Sequence, residues 1–198
     1  VINESRDTTH YSIVDSEGNA VSNTYTLGYS FGSGVTIPGT GILMNNQMNN
    51  FAYRYGDSSV DGRAASPANR FEAGKRPMST MTPTMVFNQA GELMLVTGSP
   101  GGSFIPAAVL RVVSGVIDFD LNIGEATMLP RIHKDWPYSG LDHESILSSD
   151  IARQLGIMGH KPESQKTMGS TQSIHIKKGI NYGYADLRRP GAGVSTQR

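Results

Sequence analysis

The chain has 198 residues, with 17 Lys and Arg against 17 Asp and Glu, and no cysteine. Disulfides, thiolate metal sites and cysteine nucleophiles are therefore excluded, and the balanced charge lacks the basic footprint of a nucleic-acid-binding protein. No apolar run approaches the roughly 18 residues of a membrane span, while 37% hydrophobic and 17% charged residues fit a folded domain rich in turns, with 23 glycines and 10 prolines.

The chain starts at Val1 without a basic-then-apolar leader, so a processed product or fragment is expected. Residues 1–7 read as a polar tail. Residues 9–14, rich in Thr, Tyr, Ile and Val, read as a strand, residues 16–19 as a turn with Gly18 where φ is positive, and residues 20–27 as the returning strand. Five glycines between Gly28 and Gly41 imply an irregular loop. Residues 41–48 read as a short strand ending in amides, and residues 52–74 as a long aperiodic loop.

Residues 84–87 and 93–97 read as two further strands, followed at once by the glycine-rich turn 98–103. Apolar residues at Ile105, Val109, Val112, Val113 and Val116 keep helical spacing over 105–117. Asn122 caps a short helix that ends before Pro130. Residues 142–156 read as another amphipathic helix, and 170–176 with 180–185 as a hairpin. The order of elements gives an α+β fold with helices covering one face of a sheet.

Three segments carry candidate chemistry. The first is Thr8-Thr9-His10-Tyr11-Ser12 at a strand start. A threonine hydroxyl needs an adjacent base, and an N-terminal Thr has one in its own α-amine. That chemistry requires the bond before Thr8 to be cut, and a plain β-former explains the same residues. The second is the Gly101-Gly102 pair at a helix start, where backbone N–H groups can hold an oxyanion, or simply make a turn. The third is Ser79-Thr80, whose hydroxyls could hold a carboxylate. The histidines at 10, 133, 143, 160 and 175 show no metal-ligand spacing. His10 reads as a packing residue, and Trp136 as core or interface.

Taken in order, Thr8 to Asp15, Gly18 to Thr26, Asn45-Asn46-Gln47-Met48, Lys75-Arg76-Pro77-Met78-Ser79, Thr97 to Ser103 and Met168 to Ser173 resemble the small catalytic subunit of the γ-glutamyltranspeptidases. The resemblance implies an αββα four-layer sandwich of the N-terminal-nucleophile hydrolase type, completed by a large subunit cut from the same precursor. It implies a small subunit over 8–198, without metal or organic cofactor. Thr8 falls on the nucleophile, Thr26 on the hydroxyl that orients it, Gly101 and Gly102 on the oxyanion hole, and Ser79 and Thr80 on the hydroxyl pair for the substrate α-carboxylate.

Two positions depart from the family's pattern. The family holds the substrate α-ammonium with Asn, Gln and Asp; here these positions are Gly28, Gln47 and Asn50. The substrate expected from the resemblance is a γ-glutamyl amide, with a glutaryl amide, as used by cephalosporin acylases, as the alternative. An uncut, inactive relative with a binding role is the reading from another class. Residues 52–74 match the family's lid in length. A periplasmic or secreted location is borrowed from bacterial relatives.

Overall fold

The computed structural model describes residues 8–52, 66–135, 139–165 and 167–196. The tail 1–7, most of the lid-length loop and Trp136 lie outside the described residues.

Strands β1 (Thr9–Val14) and β2 (Ala20–Tyr25) form an antiparallel hairpin in which His10 faces Thr24 and Ser12 faces Ser22. Gly18 turns the chain at φ 86°, a conformation costly for any residue with a Cβ. Strands β3 (Thr84–Phe87) and β4 (Leu93–Thr97) make the next hairpin. It joins β8 (Gln172–Lys177) and β9 (Ile180–Ala185) in a four-stranded antiparallel sheet of order β3-β4-β8-β9. Helix α1 (Ile105–Ile117) packs against β4 and against α2 (Ile123–Met128), which also contacts β8 and β9. Leu95, Val112, Val116, Ile123 and Ala126 form the buried core between them. The capping box foreseen at α2 is present: the Asn122 side chain accepts from the Glu125 N–H, and the Glu125 carboxylate accepts from the Asn122 N–H.

Two expectations are corrected. Residues 41–48 do not form a strand. Only an isolated bridge from Thr36 to Leu43 occurs there, and Gln47–Asn50 is a single 3₁₀ turn. The helix expected from 142 begins only at Ser149, as α3 (Ser149–Ile157), with the Ser148 hydroxyl accepting from the Ile151 N–H. The preceding residues belong to strand β6 (Gly140–Glu144), which sits between β5 (Ile132–His133), antiparallel, and β7 (Lys161–Gln165), parallel. Tertiary pairing overrides the local pattern here. The strand also delivers the Glu144 carboxylate into the interior, where it accepts from the Arg131 and Met168 N–H groups at 3.0 Å each.

The β1–β2 hairpin is amphipathic in an unusual sense. Its inward side carries His10, Ser12, Ser22 and Thr24 and lies against β4 and β8. The Ser22 hydroxyl donates to the Thr97 carbonyl (2.9 Å), and the Ser12 hydroxyl to the Gln172 carbonyl (2.8 Å). Its outward side carries Tyr11, Ile13, Val21 and Tyr25, all between 40% and 55% exposed. A sheet face of that composition is normally covered by another layer. No helix among the described residues is long and apolar enough to cross a membrane.

Candidate functional site

Thr8 immediately precedes β1 and is buried, 5% exposed. Strand alternation places it on the inward side, in line with His10 and Ser12. Thr26 immediately follows β2, one step beyond the His10–Thr24 pair, so the hairpin brings the two threonines to the same end. The Thr26 hydroxyl oxygen accepts from the Gly28 N–H (2.9 Å) and folds the chain back at once.

Gly28 sits at φ 94°, and a Cβ there would lie 1.8 Å from Asn46 Oδ1. The Asn46 carboxamide therefore fills the space a side chain at 28 would need. It accepts from the Tyr29 N–H (3.1 Å), while the Asn46 N–H donates to the Leu27 carbonyl (2.9 Å), joining the two loops. In the following 3₁₀ turn Asn50 Nδ2 donates to Gln47 Oε1 (2.7 Å). Gln47 Nε2 is buried without a hydrogen-bond partner.

After β4 the chain passes through Gly98 to Gly102 into α1. Gly101 (φ 136°) and Gly102 (φ 55°) adopt conformations open to glycine. The turn is pinned from two sides. Thr80 Oγ1 donates to the Gly102 carbonyl (2.8 Å), and Ser99 Oγ accepts from the Ser170 N–H (2.9 Å). Ser79 Oγ accepts from the Met81 N–H (3.2 Å).

Thr8, Thr26, Gly28, Gln47, Asn50, Ser79, Thr80 and Gly102 line one cavity of about 80 Å³. Gly101 belongs to the same turn but is not among the lining residues. Tyr29, Asn46, Asn49, Met81 and Ile105 complete the wall, and none of them is a site residue in the sequence reading. None of the described lining side chains is charged. Among the described residues no group of three His, Asp or Glu side chains is placed to hold a metal ion.

Two features beside the cavity go beyond what the sequence suggested. The first is Arg189, whose Nη1 donates to the Thr8 carbonyl (3.0 Å). Its neighbour Arg188 makes a paired contact with Glu144, at 2.6 Å to each carboxylate oxygen, and meets Asp186 at 3.2 Å. Arg131 meets Asp186 at 2.6 Å. All four charged groups are buried. Burial pushes the Asp186 carboxyl up, but Arg131 and Arg188 outweigh it and hold it below its ordinary range.

The second is His10. It is buried, as its strand alternation suggested, but its contacts are polar: Nδ1 lies 2.7 Å from Thr24 Oγ1 and Nε2 lies 3.2 Å from Ser12 Oγ. Burial pushes its pKa down from 6.5 to about 4. Between those values the unfolded chain takes up a proton that the folded chain refuses. The stability contributed here is therefore full above pH 6.5 and declines as pH falls toward 4, by about 2–3 kcal/mol in all. A denaturant midpoint measured at pH 7 and at pH 4.5 should fall more in the native protein than in a His10→Asn variant; equal falls would remove His10 from the acid response.

The α+β layering, with a threonine at the head of its first strand facing a glycine turn, is the fold of the N-terminal-nucleophile hydrolases. The chain belongs to the gamma-glutamyltranspeptidase family, whose profile matches residues 1–196. The glutathione hydrolase proenzyme of Escherichia coli (strain K12) is 46% identical over 186 residues, covering 93% of this chain and 32% of that protein. The crystal structure of a Helicobacter pylori gamma-glutamyltranspeptidase mutant superposes with a TM-score of 0.85 at 41% identity, over 91% of this chain and 100% of the matched chain. A cephalosporin acylase from Bacillus halodurans superposes at 0.77 and 28% identity, over 94% of this chain and 34% of that one. The chain thus spans about a third of the length of the curated proenzyme it matches.

Proposed function

We propose that this chain is the nucleophile-bearing part of a γ-glutamyl-type amide hydrolase and acyltransferase, made from a precursor by cleavage before Thr8. The observation that carries the reading is the placement of Thr8, Thr26 and Gly102 around one cavity with Ser79 and Thr80. The free α-amine of Thr8 takes the proton of its own hydroxyl as Oγ attacks the amide carbonyl. The N–H groups of the Gly101–Gly102 turn receive the developing oxyanion, and the protonated amine passes its proton to the leaving amine. Water or an acceptor amine then attacks the acyl ester and restores Thr8. Thr26 holds the hydroxyl in line, and Ser79 and Thr80 face the substrate carboxylate, Thr80 by turning its proton away from the Gly102 carbonyl. The partner is the large subunit of the same precursor, which covers the apolar side of the β1–β2 hairpin. A related proenzyme three times as long supports that partner.

A second acyl group is favoured by the wall opposite Thr8. A γ-glutamyl donor carries an α-ammonium, which needs anionic or carbonyl acceptors once desolvated. Here Gly28 offers no side chain, Asn50 stands where the resemblance expects Asp, and Asn50 Nδ2 already occupies Gln47 Oε1. The remaining Gln47 Nε2 is a donor. This neutral wall suits a glutaryl group.

One experiment separates the readings. The complete two-subunit protein is assayed on a γ-glutamyl anilide and on the matching glutaryl anilide, with and without Asn50→Asp. The added carboxylate should raise the γ-glutamyl to glutaryl ratio of kcat/KM by about 10–100-fold, the effect of one partly buried ion pair. An unchanged ratio would remove Asn50 from acyl recognition. Silence of the unaltered protein on both amides would overturn the enzyme reading and favour an uncut binding relative.

A further inference from the structure

The hydroxyl proton of Ser12 is committed to the Gln172 carbonyl (2.8 Å), so toward His10 Nε2 the Ser12 oxygen can only accept. Nε2 therefore carries the imidazole proton, and Nδ1 accepts from the Thr24 hydroxyl at 2.7 Å. The result is a directional chain, Thr24 to His10 to Ser12 to the Gln172 carbonyl. It crosses from the nucleophile hairpin to β8.

The ring of His10 is also in contact with the start of the glycine turn. A Cβ built on Gly98 would meet its Cε1 at 2.2 Å, Nδ1 at 2.5 Å and Nε2 at 2.7 Å. Unlike Gly101 and Gly102, Gly98 is not among the glycines at positive φ. Its backbone conformation suits alanine, and the ring alone excludes a side chain. The imidazole thus fills the gap between the nucleophile strand, two residues after Thr8, and the turn, three residues before Gly101.

We propose that His10 is a positioning residue: its ring, locked by Thr24 and Ser12 and seated on Gly98, sets the separation between the Thr8 hydroxyl and the oxyanion-binding turn. The proposal rests on the functional reading above, because it needs Thr8 as nucleophile. Hydrogen bonds to both ring nitrogens fix the ring's rotation, and the Gly98 contact fixes its depth. An error of about 1 Å in such a separation costs on the order of 100-fold in rate.

The test uses the complete precursor carrying Gly98→Ala, His10→Ala, the two together, and Thr24→Val. Two rates are read: precursor cleavage before Thr8, and kcat with KM of the mature two-subunit protein on the preferred anilide. Gly98→Ala should lower kcat about 100-fold with KM within about threefold, because it displaces the turn rather than the substrate wall. His10→Ala removes the obstacle, so the double variant should exceed Gly98→Ala alone. That reversal is not expected of two independent packing losses, which would multiply. Thr24→Val keeps the volume and frees the ring, and should lower kcat with little change in KM.

Losses that multiply in the double variant, or losses confined to KM or to thermal stability, would overturn the proposal. If His10→Ala does not assemble, Thr24→Val and Gly98→Ala still decide: unchanged kcat in both overturns it. An unaltered precursor that neither cleaves nor turns over amides would instead overturn the functional reading.

Discussion

Replacing Thr8 by Ala is expected to abolish amide turnover, by at least about 10⁴-fold, while leaving the fold in place. The substitution deletes a hydroxyl and a methyl group at a buried position. The backbone carbonyl that Arg189 holds at 3.0 Å is untouched. Under the proposed function the same hydroxyl attacks the 7–8 bond, so the variant precursor should also stay intact. Thr8→Ser keeps hydroxyl and amine and should retain both reactions at reduced rate. Intact-protein mass reports cleavage, and anilide release reports turnover. A cleaved or active Thr8→Ala protein would move the nucleophile elsewhere and remove the central element of the proposed function.

The largest effect on stability is expected from Arg188. Its guanidinium is matched by both oxygens of Glu144 and by Asp186, all within the interior. It also donates to the carbonyls of Thr127 and Leu129 at the end of α2. Arg188→Met leaves Glu144 with only backbone N–H donors and leaves Asp186 with Arg131 as its one described cationic partner, beside the backbone N–H groups of Thr171 and residue 188. Breaking one partner out of a buried network of this kind costs about 3–5 kcal/mol. Because Arg189 is the next residue, the loss should also release the contact to the Thr8 carbonyl and lower activity. A double change, Arg188→Met with Glu144→Gln, should cost less than the sum of the single changes, since no unmatched carboxylate remains at 144. Denaturant midpoints of the two-subunit protein measure both. Additive losses would show that the two groups act independently.

Much of this architecture can be read locally. Strands β1, β3 and β4 and helices α1 and α2 coincide with the segments expected from alternation, helical spacing and the Asn122 cap. These signals lie within a few residues of one another and need no partner. The strand at 140–144 could not be read in this way. Leu141, Glu144, Leu147 and Ile151 keep spacings a helix would also use, and only pairing with β5 and β7 decides. The cavity wall divides likewise. The threonines and the glycine turn stand out by residue type and by resemblance. Asn46 stands in a motif, but its role beside Gly28 follows from where its carboxamide lies, which the local sequence does not encode. Arg189 lies 181 residues from Thr8, and a surface-type residue near a chain end gives no local sign of such a contact.

The reversed polarity of the β1–β2 hairpin bears on how substitutions are tolerated. An apolar contact is non-directional, so residues of similar volume can replace one another across it at small cost. A hydroxyl that must meet one carbonyl has no such latitude, and a strand that slips by a single residue exchanges its two sides entirely. The side carrying Ser12, Ser22 and Thr24 therefore works as an index mark that admits one register. The side carrying Tyr11, Ile13, Val21 and Tyr25 can drift in identity as long as it stays greasy. Across variants of this chain, change should accumulate on one side of the same six-residue strands and be nearly forbidden on the other.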